Sequence, residues 1–91
     1  MNKEELVERV AEQTGATKKD VATILNAALD LMAAELRRGA KVTLVGFGTF
    51  TVRTRRAREG RNPQTGARIH IPARNVPAFT PGKDLKARVN G

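Results

Sequence analysis

The chain has 91 residues, of which 40% are hydrophobic and 29% charged, and this composition is typical of one small folded domain. It has no cysteine, which excludes disulfides, thiolate metal sites and cysteine nucleophiles. The formal charge is +8, no apolar run approaches the roughly 20 residues that span a bilayer, and no signal-peptide core opens the chain, so we expect a soluble cytoplasmic protein.

Two amphipathic helices are predicted in the first 39 residues. Asn2 with Glu5 has the spacing of a capping box, and Gly15 can end the first helix. Thr17 opens a longer second helix, which Gly39 closes. The apolar stripe of the second helix is wider than the first helix can cover, and a chain this short buries only roughly 60 to 65% of its surface. We therefore expect a homodimer, with packing inside one subunit as the alternative for the stripe.

Strand periodicity follows the helices. Residues 41–45 and 49–53 alternate apolar and polar side chains, as in two antiparallel strands. Phe47 lies between them, flanked by two glycines, and we expect this tight connection to tuck its ring into the core. The three aromatic residues, Phe47, Phe50 and Phe79, all lie in apolar contexts, so core packing is favoured over base stacking.

A β-ribbon arm is predicted over residues 55–73. The apolar alternation ends after Arg53, and residues 62–66 have the composition of a hairpin tip. At about 3.3 Å per residue the arm would reach roughly 30 Å, which is comparable with one turn of DNA. Because an isolated two-stranded ribbon is marginal in water, we expect the arm to be mobile until it binds a partner.

The positive charge is concentrated in the second half of the chain. Residues 1–45 carry seven basic and seven acidic side chains, whereas residues 46–91 carry ten basic and two acidic ones. Eight of those ten are arginines, whose planar fork suits phosphates and the narrow minor groove. A nucleic acid is therefore the leading partner, and a basic surface that only serves solubility is the alternative.

A family resemblance runs over essentially the whole chain. Its residues are Gly46-Phe47-Gly48-Thr49-Phe50, Arg55, Arg58, Gly60, Arg61, Asn62, Pro63, Thr65, Pro77-Ala78-Phe79 and Pro81-Gly82-Lys83. They closely resemble the signature of the bacterial HU and integration host factor family. The resemblance implies an α+β fold with an N-terminal helical hairpin, a three-stranded antiparallel sheet, a long β-ribbon arm and a short C-terminal helix, assembled as an intertwined dimer.

With this resemblance, the chain is interpreted as a single DNA-binding domain over residues 1–91. Its parts are a helical dimerisation base (1–39), saddle strands (40–54 and 74–80), a DNA-embracing arm (55–73) and a C-terminal helix (81–91). The resemblance also implies binding and bending of double-stranded DNA without sequence specificity, as a histone-like protein that compacts the bacterial nucleoid. We expect neither a cofactor nor a metal.

The expected DNA-binding residues are Lys3, Arg53, Arg55, Arg58, Arg61, Asn62, Pro63, Gln64, Arg68, Arg74, Lys83 and Lys86. The resemblance implies this role for the arm positions Arg53, Arg55, Arg58, Arg61, Asn62 and Pro63. Lys3, Arg74, Lys83 and Lys86 are candidates for flanking phosphate contacts, with exposed charge that serves solubility as the alternative. Pro63 is implied to enter a base step and kink the duplex, at an unstacking cost of a few kcal/mol that contacts with the bent DNA offset. From the local sequence alone, it is an ordinary turn proline. Nicked, gapped or kinked duplexes should bind better, because they cost less to bend.

Arg68 and His70 stand where many relatives carry acidic residues, so this arm is more basic than a typical HU arm. We expect Arg68 to contact a phosphate. An enzyme is disfavoured, because the chain has no serine or cysteine and a single histidine. The nearer rival is a sequence-specific integration host factor-type subunit that needs a different partner chain. An RNA-binding protein is a more distant rival, although HU-like proteins are also expected to bind some RNA structures weakly.

Overall fold

The structure is a computed structural model that describes residues 1–91. In chain order the elements are α1 (Lys3–Thr14), α2 (Lys18–Arg37), β1 (Val42–Leu44), β2 (Gly48–Arg55), β3 (Arg58–Arg61), β4 (Arg68–Ile71), β5 (Arg74–Pro81) and α3 (Lys83–Asn90). They form two compact units, Met1–Ala34 and Glu35–Gly91. None of the helices has the length and apolar character needed to cross a membrane.

The helix ends are set by local hydrogen bonds at the predicted residues. Asn2 begins α1, because its side chain accepts a hydrogen bond from the Glu5 backbone N–H at 2.8 Å. Gly15 ends α1 with φ 75°, a left-handed conformation that costs glycine little. Thr17 Oγ1 accepts from the Asp20 backbone N–H at 3.1 Å at the start of α2. The predicted caps at Asn2 and Thr17 and the stop at Gly15 are confirmed, but the Glu5 carboxylate accepts from Arg9 and does not complete the capping box.

The Met1–Ala34 unit buries very little apolar surface. Ala11 and Val21 are the only hydrophobic residues that are buried in the chain, at 7% and 8% exposure. On α2, Ile24 and Leu31 remain 69% and 70% exposed. The two helices therefore leave a large apolar surface open.

In the second unit, the antiparallel strands β1, β2 and β5 form a sheet with β2 in the centre. Residues directly opposite each other share a face, so the register defines two faces. The apolar face carries Val42, Leu44, Phe50, Val52, Pro77 and Phe79. The polar face carries Thr43, Thr49, Thr51, Arg53, Arg55, Arg74, Val76, Ala78 and Thr80. Strand alternation thus places the arginines and the apolar side chains on different faces of the sheet.

The aromatic residues pack together on the apolar side of the sheet. The ring centroid of Phe79 lies 4.7 Å from that of Phe50 and 5.5 Å from that of Phe47. Phe47 is nevertheless 45% exposed and Phe79 40% exposed. The prediction that the Phe47 ring is tucked into a core is therefore wrong for the single chain, because this apolar face is only partly covered.

Strands β3 and β4 form a separate antiparallel pair, which we call the ribbon. The ribbon continues the register of β2 and β5 without an insertion, but residues 56–57 and 72–73 lie outside both pairings. Pro72 explains the interruption, because it has no N–H to donate across the ladder. The arm is therefore a ribbon that is separated from the sheet by this interruption. We call these two opposed dipeptides the joint.

Candidate nucleic-acid interface

Three of the expected DNA-binding residues, Arg53, Arg55 and Arg74, lie on the polar face of the sheet, and we call them the arginine face. Arg55 and Arg74 are directly opposite each other in the last pair of the sheet. Opposed residues on one face have Cβ atoms roughly 4.5 to 5.5 Å apart, and like charges at that spacing are destabilising. The pair is thus an unfavourable arrangement that a bound anion would relieve.

No acidic side chain neutralises these arginines. The ion pairs in the structure join Arg9 to Glu5, Lys18 to Glu8, Arg38 to Glu35 and His70 to Glu59. None of the seven arginines between residues 53 and 74 has a carboxylate oxygen within 4.0 Å. Their charge is therefore free to interact with an external polyanion.

The two faces of the ribbon differ in character. On one face, Arg58 is accompanied by Ile69 and Ile71, whose side chains lie over Gly60. A Cβ at Gly60 would lie 3.0 Å from Ile71 Cδ1, so the close approach favours glycine there. The other face carries Glu59, His70, Arg61 and Arg68. Arg61 and Arg68 oppose each other at the tip end, in a second unneutralised pair.

The ribbon tip is a tightly hydrogen-bonded turn that presents Pro63 in an exposed position. Asn62 Oδ1 accepts from the Gln64 backbone N–H at 2.9 Å, and the Asn62 carbonyl accepts from the Gly66 N–H at 2.7 Å. The Asn62 N–H donates to the Ala67 carbonyl at 2.8 Å, which closes the loop. The predicted hairpin tip is confirmed. The side-chain amide of Asn62 therefore already makes a hydrogen bond to the turn backbone before any ligand binds.

One arginine outside the expected set, Arg56, also lies in this surface. Arg56 lies in the joint and helps to line a cleft of about 410 Å³, which we call the joint cleft. Its lining residues are Arg55, Arg56, Arg58, Ile71, Pro72 and Arg74. The sequence signal that could have identified Arg56 is Pro72. Pro72 lies across the joint and interrupts the strand alternation that would otherwise set the direction of the Arg56 side chain.

The expected lysines lie outside the arginine-rich segment. Lys3 belongs to the Met1–Ala34 unit, where its Nζ donates to Asn26 Oδ1 at 2.9 Å. Lys83 and Lys86 are exposed on α3, whose start is tied to the β1–β2 connection by a 2.8 Å hydrogen bond from the Gly82 N–H to the Phe47 carbonyl. Histidine and acidic side chains form no group of three that could hold a metal ion.

These features define a basic β-ribbon protein with an arginine face, and comparison with known proteins gives its family. The model of the bacterial DNA-binding protein family matches residues 1–90, and the chain therefore belongs to this family.

Its relatives are DNA-binding proteins, several of which carry the HU name. The chain is 55% identical over 89 residues to DNA-binding protein HU of Geobacillus stearothermophilus, covering 98% of this chain and 99% of that protein. It is 57% identical over 91 residues to DNA-binding protein HRL53 of Rhizobium leguminosarum, covering 100% of each. The resemblance to HU is confirmed.

Solved structures agree with this assignment. A cocrystal structure of Anabaena HU with DNA superimposes with a TM-score of 0.88 at 52% identity, covering 98% of this chain and 97% of that chain. HU from Thermotoga maritima gives a TM-score of 0.72 at 40% identity, covering 98% of each chain. The expected α+β fold class, with its helical N-terminus and β-ribbon, is confirmed.

Proposed function

We propose that the chain binds double-stranded DNA as a homodimer, without reading its sequence, and bends it as a histone-like architectural protein. The observation that carries this proposal is the run of seven arginines without a carboxylate partner, which extends from the arginine face to a tip that exposes Pro63. Bound to chromosomal DNA, the protein would lie in the bacterial nucleoid. No catalytic role is proposed.

Phosphate contacts would supply most of the affinity. Guanidinium groups at Arg53, Arg55 and Arg74 suit the phosphate backbone, and such contacts carry no sequence information. No element offers a base-reading helix, because α2 is largely apolar and α3 has only eight residues. Selectivity would therefore depend on the shape and deformability of the duplex.

Pro63 would act as the wedge that bends the duplex. Its rigid apolar ring is exposed at the end of the ribbon, and the hydrogen bonds of Asn62 fix the turn that carries it. Insertion between two base pairs costs a few kcal/mol of unstacking, which contacts along the bent flanks repay. A nick or a gap lowers this cost, so interrupted duplexes should bind more tightly.

Exposed apolar side chains support the homodimer. A single chain leaves Ile24, Leu29, Leu31, Leu44, Val45, Phe47 and Phe79 between 39% and 97% exposed. Full burial of one such side chain contributes about 1.5 to 3 kcal/mol, whereas Ala11 and Val21 are the only hydrophobic residues that one chain alone buries. A second copy that covers α2 and the apolar face of the sheet would provide the missing core.

The direct test is a binding titration of the purified protein with a random-sequence duplex and with the same duplex carrying a two-nucleotide gap, at several salt concentrations. Light scattering of the protein alone gives its oligomeric state. We expect a dimer that binds both duplexes with a steep salt dependence and the gapped duplex more tightly. Equal affinity for both would contradict the bending mechanism.

Two rival functions have their own outcomes in this experiment. Preference for one site by roughly 10³-fold or more over unrelated duplexes, or binding only after a second protein is added, would indicate a sequence-specific heteromeric factor. Tighter binding to an RNA hairpin than to any duplex DNA would indicate an RNA-binding protein, although weak RNA binding is compatible with our proposal.

A further inference from the structure

We propose that Arg56 completes a phosphate site in the joint cleft, and that one DNA phosphate held there fixes the direction of the ribbon relative to the sheet. The inference rests on the proposed DNA binding, and it assigns to this chain a contact residue outside the set expected from its family resemblance. It also identifies where along the arm DNA binding would impose order.

The joint cleft is lined from both sides of the interruption. Arg55 and Arg74 form the last pair of the sheet, and Arg58 and Ile71 form the first pair of the ribbon. Arg56 belongs to the joint itself. A ligand in this cleft would therefore touch sheet, joint and ribbon at once.

The joint lacks the cross-strand backbone hydrogen bonds that connect the strands on either side of it. Residues 56–57 and 72–73 belong to neither strand pairing, and no other backbone hydrogen bond joins them. Pro72 cannot donate one, so the gap in the ladder is built into the sequence. Because the register is the same on both sides, the strands stay opposed, and a change of direction needs only backbone rotations within the two dipeptides.

The side chains of the cleft suit a phosphate attached to a sugar. Four arginines line the cleft, and a guanidinium group can hold two phosphate oxygens in a bidentate manner. No carboxylate oxygen lies within 4.0 Å of any of them. Ile71 and Pro72 provide an apolar wall, which matches the deoxyribose next to a backbone phosphate.

Electrostatic repulsion makes the alignment of the four arginines depend on whether an anion occupies the cleft. Without an anion, four like charges around one cleft oppose the alignment that brings them together. A phosphate reverses the sign of these interactions and turns the same arginines into a bridge across the joint. The ribbon therefore becomes ordered when the cleft is filled.

The test compares Arg56→Ala with Arg9→Ala in the full-length protein, using a random-sequence duplex. Both variants lose one positive charge, but Arg9 is paired with Glu5 on α1 and lies outside the arginine face. Each lost phosphate contact makes the slope of log K against log salt shallower by about 0.9. Between 50 and 200 mM salt, the Arg56→Ala variant should thus lose about 3.5-fold less affinity than wild type for each engaged arm. The Arg9→Ala variant should follow wild type.

Amide hydrogen exchange of residues 58–61 and 68–71 reports the second part of the inference. DNA should slow this exchange in the wild type and in Arg9→Ala, and much less in Arg56→Ala. Arg56→Lys should recover the salt slope, because it keeps the charge. An Arg56→Ala variant with the wild-type slope and wild-type protection would overturn the inference while leaving DNA binding intact. Absence of binding by the wild type would instead overturn the proposed function.

Discussion

The opposed arginines at the end of the sheet give a prediction in which stability and DNA binding change in opposite directions. Replacing Arg74 by glutamate turns the repulsion with Arg55 into an attraction. Cross-strand charge pairs change stability by about 0.2 to 1 kcal/mol, and because this pair is exposed we expect a gain of about 0.5 to 1 kcal/mol per chain. At fixed protein concentration the melting temperature should rise by roughly 2 to 8 °C.

DNA binding should weaken in the same variant, because Arg74→Glu removes a cation from the arginine face and adds an anion. The salt slope should become shallower by at least about 0.9 per arm. Thermal unfolding at low and high salt and fluorescence anisotropy with a labelled duplex measure the two effects. Arg74→Ala serves as the control and should give a smaller gain in stability, since it removes the repulsion only. A variant that is less stable than wild type, or that binds DNA with an unchanged slope, would refute the reasoning.

Three further substitutions test other parts of the molecule. Gly48→Ala should lower the denaturation midpoint by an amount equivalent to about 1 to 3 kcal/mol, because its Cβ would lie 2.6 Å from the Phe79 ring and from the Thr80 carbonyl oxygen; an unchanged midpoint in urea would be inconsistent with this packing. Leu29 is 43% exposed in one chain, and Leu29→Lys would bury an unpaired charge if a second copy covers this side chain. Light scattering should therefore show a monomer or an unfolded chain, and a stable variant dimer would exclude this side chain from the interface. Arg68→Ala should make the salt slope shallower by about 0.9 per arm, and an unchanged slope would remove Arg68 from the footprint.

Features set by short-range chemistry were predictable from the sequence. The helix caps at Asn2 and Thr17 and the stop at Gly15 depend on side-chain hydrogen bonds or backbone freedom within three or four residues. The tip at Asn62 and Pro63 follows from the same local rules. The arginine face was also predictable from the sequence, because strand alternation separates it from the apolar side chains of the sheet.

Features that depend on contacts distant in sequence were not predictable. The joint arises because Pro72 lies opposite Ala57, and that pairing is known only once the register is fixed at the tip. Pro72 signals an interruption of the ladder, but the finding that Arg56 lies in the joint depends on the same register. The exposure of Phe47 could not be foreseen either, because the expected core placement of its ring requires a surface that a single chain does not supply.

Bending is the central claim, and energy transfer between dyes at the two ends of a short random-sequence duplex tests it most directly. Saturating wild-type protein should bring the ends closer together and raise the transfer efficiency. Pro63→Ala should raise it much less while keeping a similar salt slope, because the arginines that hold the backbone remain. A duplex whose end-to-end distance does not change at saturation with the wild type would contradict the account.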